Sequence, residues 1–83
     1  MDIAHLVHMA NRIGQFFEAM PDRPEALDGI AEHLRKFWEP RMRRTLLDAL
    51  DGPGCAELHP MVREAVERHR AALTPKTAAA PAA

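Results

Sequence analysis

The sequence contains no serine and no tyrosine, and three of its 83 residues are threonine. Hydroxyl groups that could act as nucleophiles are therefore scarce. There is one cysteine, Cys55, in the stretch Gly-Pro-Gly-Cys. A single cysteine excludes an internal disulfide and fits a reducing compartment. Cys55 has no neighbouring cluster of bases in the sequence, so we interpret it as an unactivated thiol.

Long apolar runs and glycine-rich phosphate loops are also missing. No stretch approaches the ~18 consecutive apolar residues that a membrane span needs, and no dinucleotide-binding fingerprint is present. The first residues, Met-Asp-Ile-Ala-His, carry no basic segment, so they do not resemble a secretory signal. We expect a cytoplasmic protein that does not enter a membrane.

The charge of the chain is nearly balanced, with 11 basic and 12 acidic residues. No field of the whole molecule would draw it onto nucleic acid. Positive charge is concentrated only in residues 40–50, which hold three arginines and one acid. Three arginines neutralise too few phosphates for a convincing DNA or RNA site. A small nucleic-acid-binding regulator is therefore the least favoured interpretation, and we expect no nucleic-acid partner.

Histidine is the enriched chemical residue, with five copies. His5 and His8 have the i,i+3 spacing that could share a metal, but no third ligand accompanies them. His69 lies within the apolar stripe of the last predicted helix, which favours a histidine hydrogen-bonded inside the core. We therefore predict neither a metal site nor a catalytic residue, and we assign His69 a structural role.

Apolar periodicity predicts an all-α protein. A helical hairpin is expected over about 2–20 and 23–38, followed by two short helices over about 40–51 and 59–73. Asp2 and Asp22 are plausible N-caps for the two hairpin helices. Residues 1–73 are predicted to form a single helical domain, and residues 74–83 a flexible tail with nothing to bury.

The first predicted helix has an unusually wide apolar arc. It exceeds the ~100° stripe that suffices for a helix packed on one core. We therefore expect Met9, Phe16 and Met20 to need cover from outside this fold. Gly14 lies inside the same helix, where glycine costs ~1 kcal/mol relative to alanine, so it indicates a close approach by the second helix or by a partner.

The stretch Phe-Trp-Glu-Pro-Arg-Met-Arg-Arg, residues 37–44, brings an aromatic pair next to dense positive charge. We expect Phe37 and Trp38 to fill a corner between helices, with Pro40 setting the turn. Tryptophan and arginine are both enriched in protein–protein hot spots. The sequence therefore predicts that the arginines face a partner; they are Arg41, Arg43 and Arg44.

Two longer stretches resemble the delta subunit of the soluble, NAD-dependent, molybdenum-containing formate dehydrogenases. They are His-Leu-Val-His-Met-Ala-Asn-Arg-Ile-Gly-Gln-Phe-Phe-Glu-Ala-Met-Pro from residue 5, and Ile-Ala-Glu-His-Leu-Arg-Lys-Phe-Trp-Glu-Pro-Arg-Met-Arg from residue 30. The resemblance covers residues 5–50, and its family-like positions are Asn11, Arg12, Ile13, Gly14, Phe16, Phe17, Trp38, Pro40, Arg41, Met42 and Arg43.

The resemblance implies a small accessory subunit that binds no cofactor itself. It implies an alpha subunit with a bis-molybdopterin guanine dinucleotide cofactor, and beta and gamma subunits completing an electron path through iron–sulfur clusters and FMN to NAD. We expect this chain to dock on the alpha subunit, or to be a transient assembly or cofactor-insertion chaperone. Partner contacts are assigned to the residues named above and to Arg12, while Asn11, Ile13 and Phe17 are expected to be structural.

Overall fold

The computed structural model describes residues 2–75, and this part of the chain is built from helices without any strand. The helices are α1 (Ile3–Phe17), α2 (Arg23–Phe37), α3 (Pro40–Ala49), α4 (Pro60–Arg68) and α5 (Arg70–Leu73), with a short 3-10 turn over Pro53–Cys55 between α3 and α4. The all-α prediction is confirmed. Most of the predicted flexible tail, from residue 76 onward, lies outside the described residues.

Local side-chain hydrogen bonds and prolines decide where the helices begin. The Asp2 carboxylate accepts a hydrogen bond from the amide of Ala4 at 3.0 Å, and that of Asp22 accepts one from Glu25 at 3.2 Å. Both side chains satisfy amide groups that the first helical turn leaves without a partner. Pro40 opens α3, where the missing amide hydrogen costs nothing.

The predicted fourth helix, about 59–73, is present over these residues but is divided at His69 into α4 and α5. His69 adopts φ −109° and ψ 27°, which ends α4 before the single turn of α5 begins. No glycine or proline marks this break in the sequence. Leu73, the last residue of α5, is buried in the core.

The core lies between the hairpin of α1 and α2 and the later helices. The pair with the most extensive contacts is α2 and α4, so α4 forms a wall of the core itself. The largest fully buried side chains come from every helix and from the 3-10 turn: Leu6, Leu27, Ile30, Leu34, Leu46, Leu50, Cys55, Val62, Val66 and Leu73.

The last two described residues contact the helical fold. The Thr74 hydroxyl donates a hydrogen bond to the carbonyl oxygen of Arg70 at 2.7 Å, and Pro75 is buried. Thr74 is the residue at which α5 ends. Between residues 2 and 75, none of the helices combines the length and the apolar character needed to cross a membrane.

Candidate interaction surface

Residues 2–75 contain no group of three or more histidine, cysteine or acidic side chains arranged to hold a metal ion. The Cys55 thiol is fully buried, and this burial raises its pKa above the ordinary value, although the charge of Arg63 acts in the opposite direction. The thiol is therefore protonated and shielded near neutral pH. This geometry does not favour nucleophilic chemistry at Cys55.

The aromatic pair at the end of α2 divides between core and surface. Trp38 is 6% exposed, whereas Phe37 is 71% exposed. The expectation that Phe37 fills the corner is wrong, because α2 ends at Phe37 and the extended backbone of Trp38 turns only the indole inward. The Phe37 ring instead lies against His33, with 4.9 Å between ring centroids. Trp38 is part of the core, and Pro40 is the first residue of α3.

Arg43 contacts the fold itself, so its assignment as a partner-facing arginine is wrong. Its guanidinium donates hydrogen bonds to the carbonyl oxygens of Leu73 at 3.1 Å, Arg35 at 2.8 Å and Trp38 at 3.4 Å. These carbonyls lie at the ends of α2 and α5, where helical partners are lacking. Arg43 thus joins α3 to the end of α2, nearby in sequence, and to the end of α5, 30 residues further along the chain. Arg41 and Arg44 remain exposed on α3.

The outer flank of α1 is covered only in part by its own fold. Met9, Ile13 and Met20 are half-buried against the core, while Phe16 is 72% exposed. The predicted need for outside cover is thus concentrated on Phe16. Ile13 packs against the core.

Phe17 fixes how the two hairpin helices pack. Its ring lies so close to Gly29 of α2 that a β-carbon at that position would be 2.5 Å from ring atom Cε1. Phe16 meets Phe17 edge to face, with 5.1 Å between centroids and 86° between planes. The exposed Phe16 ring therefore rests on a ring that is itself held in place. The sequence pattern alone did not single out Gly29.

This packing aligns the apolar positions of both helices along one side of the hairpin. α1 and α2 are joined by only five residues, 18–22, so they run antiparallel. Steps of four residues from Gly29 lead to His33 and Phe37 on α2, and the same steps back from Phe17 lead to Ile13 and Met9 on α1. We call this side the apolar hairpin face; it comprises Met9, Ile13, Phe16, His33 and Phe37.

Arg12 lies beside this face and has no ion-pair partner among residues 2–75. α1 contains no aspartate or glutamate, and its single arginine, Arg12, precedes Phe16 by one helical turn. Within residues 2–75, Arg12, Arg41 and Arg44 make no ion pair, in contrast to the cations that do: Arg23, Arg35, Lys36 and Arg68. Exposed rings next to unpaired arginines are typical of surfaces that bind another protein.

Asn11 and Gly14 hold α1 against the start of α4. The Asn11 side chain donates to the carbonyl of Glu57 at 2.9 Å and accepts from the amide of His59 at 2.7 Å. A β-carbon on Gly14 would be 2.8 Å from Cγ of His59. The close approach predicted for Gly14 is real, but it is made by α4 and its cap, not by the second helix or a partner.

His59, to which the sequence analysis gave no role, is central to this junction. Its Nδ1 accepts from the amide of Met61 at 3.1 Å, which caps α4, and its Nε2 lies 2.8 Å from Glu18 at the end of α1. In the sequence, this N-cap is indicated by Pro60, a residue favoured at the first position of a helix, directly after His59. His59 therefore stabilises both the start of α4 and its docking on α1.

His69 lies at the surface end of the core instead of inside it. Its side chain is about a third exposed and its Nε2 is 2.9 Å from Asp28 of α2. The predicted buried histidine is wrong because the helix breaks at this residue and turns the ring outward. His69 keeps a structural role, as a link between α2 and the end of α4.

The fold and surface define a small helical protein that presents exposed aromatic rings and unpaired cations. Over residues 5–66 the sequence matches the family described as the NADH-dependent formate dehydrogenase delta subunit, FdsD. The chain belongs to this family, which confirms the predicted resemblance. No curated protein and no solved structure matched the chain.

Proposed function

We propose that this delta-family chain is a non-catalytic accessory subunit that docks on the catalytic alpha subunit of an NADH-dependent formate dehydrogenase and stabilises the assembled enzyme. The observation that carries the proposal is the exposure of Phe16 and Phe37 in a member of this family. Burying a phenylalanine side chain contributes about 1.5–3 kcal/mol. Two such rings are substantial anchors for a subunit of this size.

The unpaired arginines would fix the orientation in which this apolar contact forms. Arg41 and Arg44 are exposed on α3, and carboxylates on the partner would satisfy their guanidinium groups in fixed geometry. Such charge pairs specify register and partner more than they add affinity. The proposed contact therefore combines aromatic anchors with arginines that select an acidic surface.

We assign the cofactors of the complex to the other subunits. One cysteine in the whole chain is far short of the set that ligates an iron–sulfur cluster, and residues 2–75 hold no cluster of metal-ligating side chains. The bis-molybdopterin guanine dinucleotide, iron–sulfur clusters and FMN would then reside in the alpha, beta and gamma subunits. The contribution of this chain would be structural.

Co-purification tests the proposal. A tagged chain expressed with the other subunits should recover the alpha subunit, and recovery should fall for Phe16→Ala with Phe37→Ala and for Arg41→Glu with Arg44→Glu. Arg70→Glu, an exposed charge reversal on α5, is the matched control. Wild-type recovery of both double variants would contradict the assigned surface.

The composition of the purified active enzyme separates a subunit from a transient assembly chaperone. A resident subunit should be present in equal amount to the alpha subunit through repeated purification. A chaperone would be lost from the enzyme that turns over formate. Quantitative mass spectrometry of the active fractions gives this ratio directly.

A further inference from the structure

The apolar hairpin face has a spacing that matches one particular kind of partner. Phe16 packs edge to face against Phe17, which lies beside Gly29 of α2. Phe37 follows Gly29 by eight residues on the same helix. At about 1.5 Å per residue, the two exposed rings are separated by roughly 12 Å along the helix axis. An α-helix lying along the hairpin would reach both rings with apolar side chains seven or eight positions apart.

The charge of the face restricts the partner further. Arg12 lies one turn from Phe16, is exposed, and has no carboxylate within ion-pair distance among residues 2–75. Two of the acids near the face already have partners: Glu18, just after α1, contacts His59, and Glu32 of α2 contacts both Arg35 and Lys36. An aspartate or glutamate on the incoming helix would therefore meet an unsatisfied cation.

The same charge argues against a second copy of this chain as the occupant. α1 contributes no acidic residue to the face, from Ile3 to Phe17. In a symmetric dimer in which α1 packs on α1, each Arg12 would meet a helix that offers no carboxylate. Like charges in such a contact are unfavourable.

We propose that the apolar hairpin face binds an amphipathic helix of the enzyme's large subunit, with apolar residues seven or eight positions apart and an aspartate or glutamate opposite Arg12. The inference rests on the proposed function, because it names the part of the large subunit that binds to the apolar hairpin face. Phe16 and Phe37 anchor the two ends of the contact, and Arg12 sets its register.

Photo-crosslinking in the assembled complex tests this proposal. The photoreactive amino acid p-benzoylphenylalanine replaces Phe16 or Phe37, and position 67 on α4, an exposed glutamate in the wild type, serves as the control site. Both hairpin positions should crosslink to one helical segment of the large subunit that contains the predicted acid and apolar spacing. Position 67 should not reach that segment.

Charge reversal then tests the register. Arg12→Glu should lower affinity for the large subunit by about tenfold, while Arg12→Lys retains most of it. Arg70→Glu makes the same change of charge at an exposed position of α5, outside the apolar hairpin face, and should have little effect. Replacing the acid identified by crosslinking with arginine should restore binding of Arg12→Glu.

The outcomes distinguish this inference from the proposed function. Crosslinks to a segment without an acid, crosslinks to a second copy of this chain, or absence of crosslinks from both positions would overturn the helix-binding inference even when the chain stays in the complex. If the wild-type chain does not remain with the large subunit at all, the proposed docking fails as well.

Discussion

Asn11 and His59 are joined by a 2.7 Å hydrogen bond from the His59 amide to the Asn11 side-chain oxygen, although 48 positions separate them in the chain. The side-chain amide nitrogen of Asn11 donates a hydrogen bond to the carbonyl oxygen of Glu57. One side chain of α1 thus satisfies a donor and an acceptor in the segment that leads into α4. The asparagine in the Asn-Arg-Ile-Gly stretch is explained by the fold, without any contact to a partner.

Replacing Asn11 with alanine should destabilise the domain by about 1–3 kcal/mol, because one donor and one acceptor at the start of α4 lose their partner. Urea unfolding followed by circular dichroism measures the change. Gln15→Ala, at an exposed position of the same helix, should stay within about 0.5 kcal/mol of wild type. Equal stabilities of the two variants would contradict the structural role of Asn11.

Gly14→Ala should also destabilise the domain, although alanine is the better helix former by ~1 kcal/mol. The new β-carbon would be 2.8 Å from His59 and 2.9 Å from Val62, so α4 must shift. Overpacking of this kind costs about 1–3 kcal/mol, enough to outweigh the gain in helix propensity. Gly52→Ala is the control, since its β-carbon would lie at an ordinary 3.5 Å from the carbonyl oxygen of Ala49. A stabilised Gly14→Ala variant would show that the contact is loose.

Arg43→Ala should reduce stability by about 2–3 kcal/mol, because it removes charge-assisted hydrogen bonds to three carbonyl oxygens. Arg44→Ala, one residue further along α3 and exposed, should change it by less than about 0.5 kcal/mol. Thermal unfolding of both variants gives the comparison. Similar melting temperatures of the two variants would contradict the bridging role of Arg43.

The native Cys55 thiol should react with a disulfide reagent at least about a hundredfold more slowly than the unfolded chain, since burial both excludes the reagent and raises the pKa of the thiol. The absorbance of the released thiolate, with and without urea, measures both rates. A rapid reaction in the absence of denaturant would mean that the segment around the 3-10 turn opens readily.

The pKa of Glu64 is held below its ordinary value, first by the hydrogen bond from Arg23 at 2.6 Å. A carboxylate whose pKa is lower in the folded state stabilises the fold above its unfolded pKa and loses this effect as pH falls. Arg23→Ala should therefore raise the pKa of Glu64 and flatten the stability profile at acid pH. Carboxyl NMR titration checks the shift.

Arg68→Ala is the matched control for this prediction. Its guanidinium is 3.6 Å from the other Glu64 oxygen and makes the smaller contribution to the lowered pKa. Removing Arg68 should raise the pKa of Glu64 by less than removing Arg23 does. The reverse order would contradict the geometry of this ion pair.

The sequence by itself determined the helical class, the approximate spans of the first three helices and the caps at Asp2 and Asp22. These features depend on local physics: apolar spacing, side-chain hydrogen bonds to nearby amides, and prolines at helix starts. The family resemblance was likewise contained in contiguous stretches. Each of these properties involves residues that are neighbours in the chain.

Only the tertiary structure decided which aromatic residues and arginines of the 37–44 stretch face outward. Arg43 and Arg44 have the same side chain, yet one bridges helix ends while the other is exposed, and Phe37 and Trp38 divide between surface and core in the same way. The break at His69 has no local sequence cause. Each outcome depends on where distant helix ends and core side chains meet, and a linear pattern does not carry that geometry.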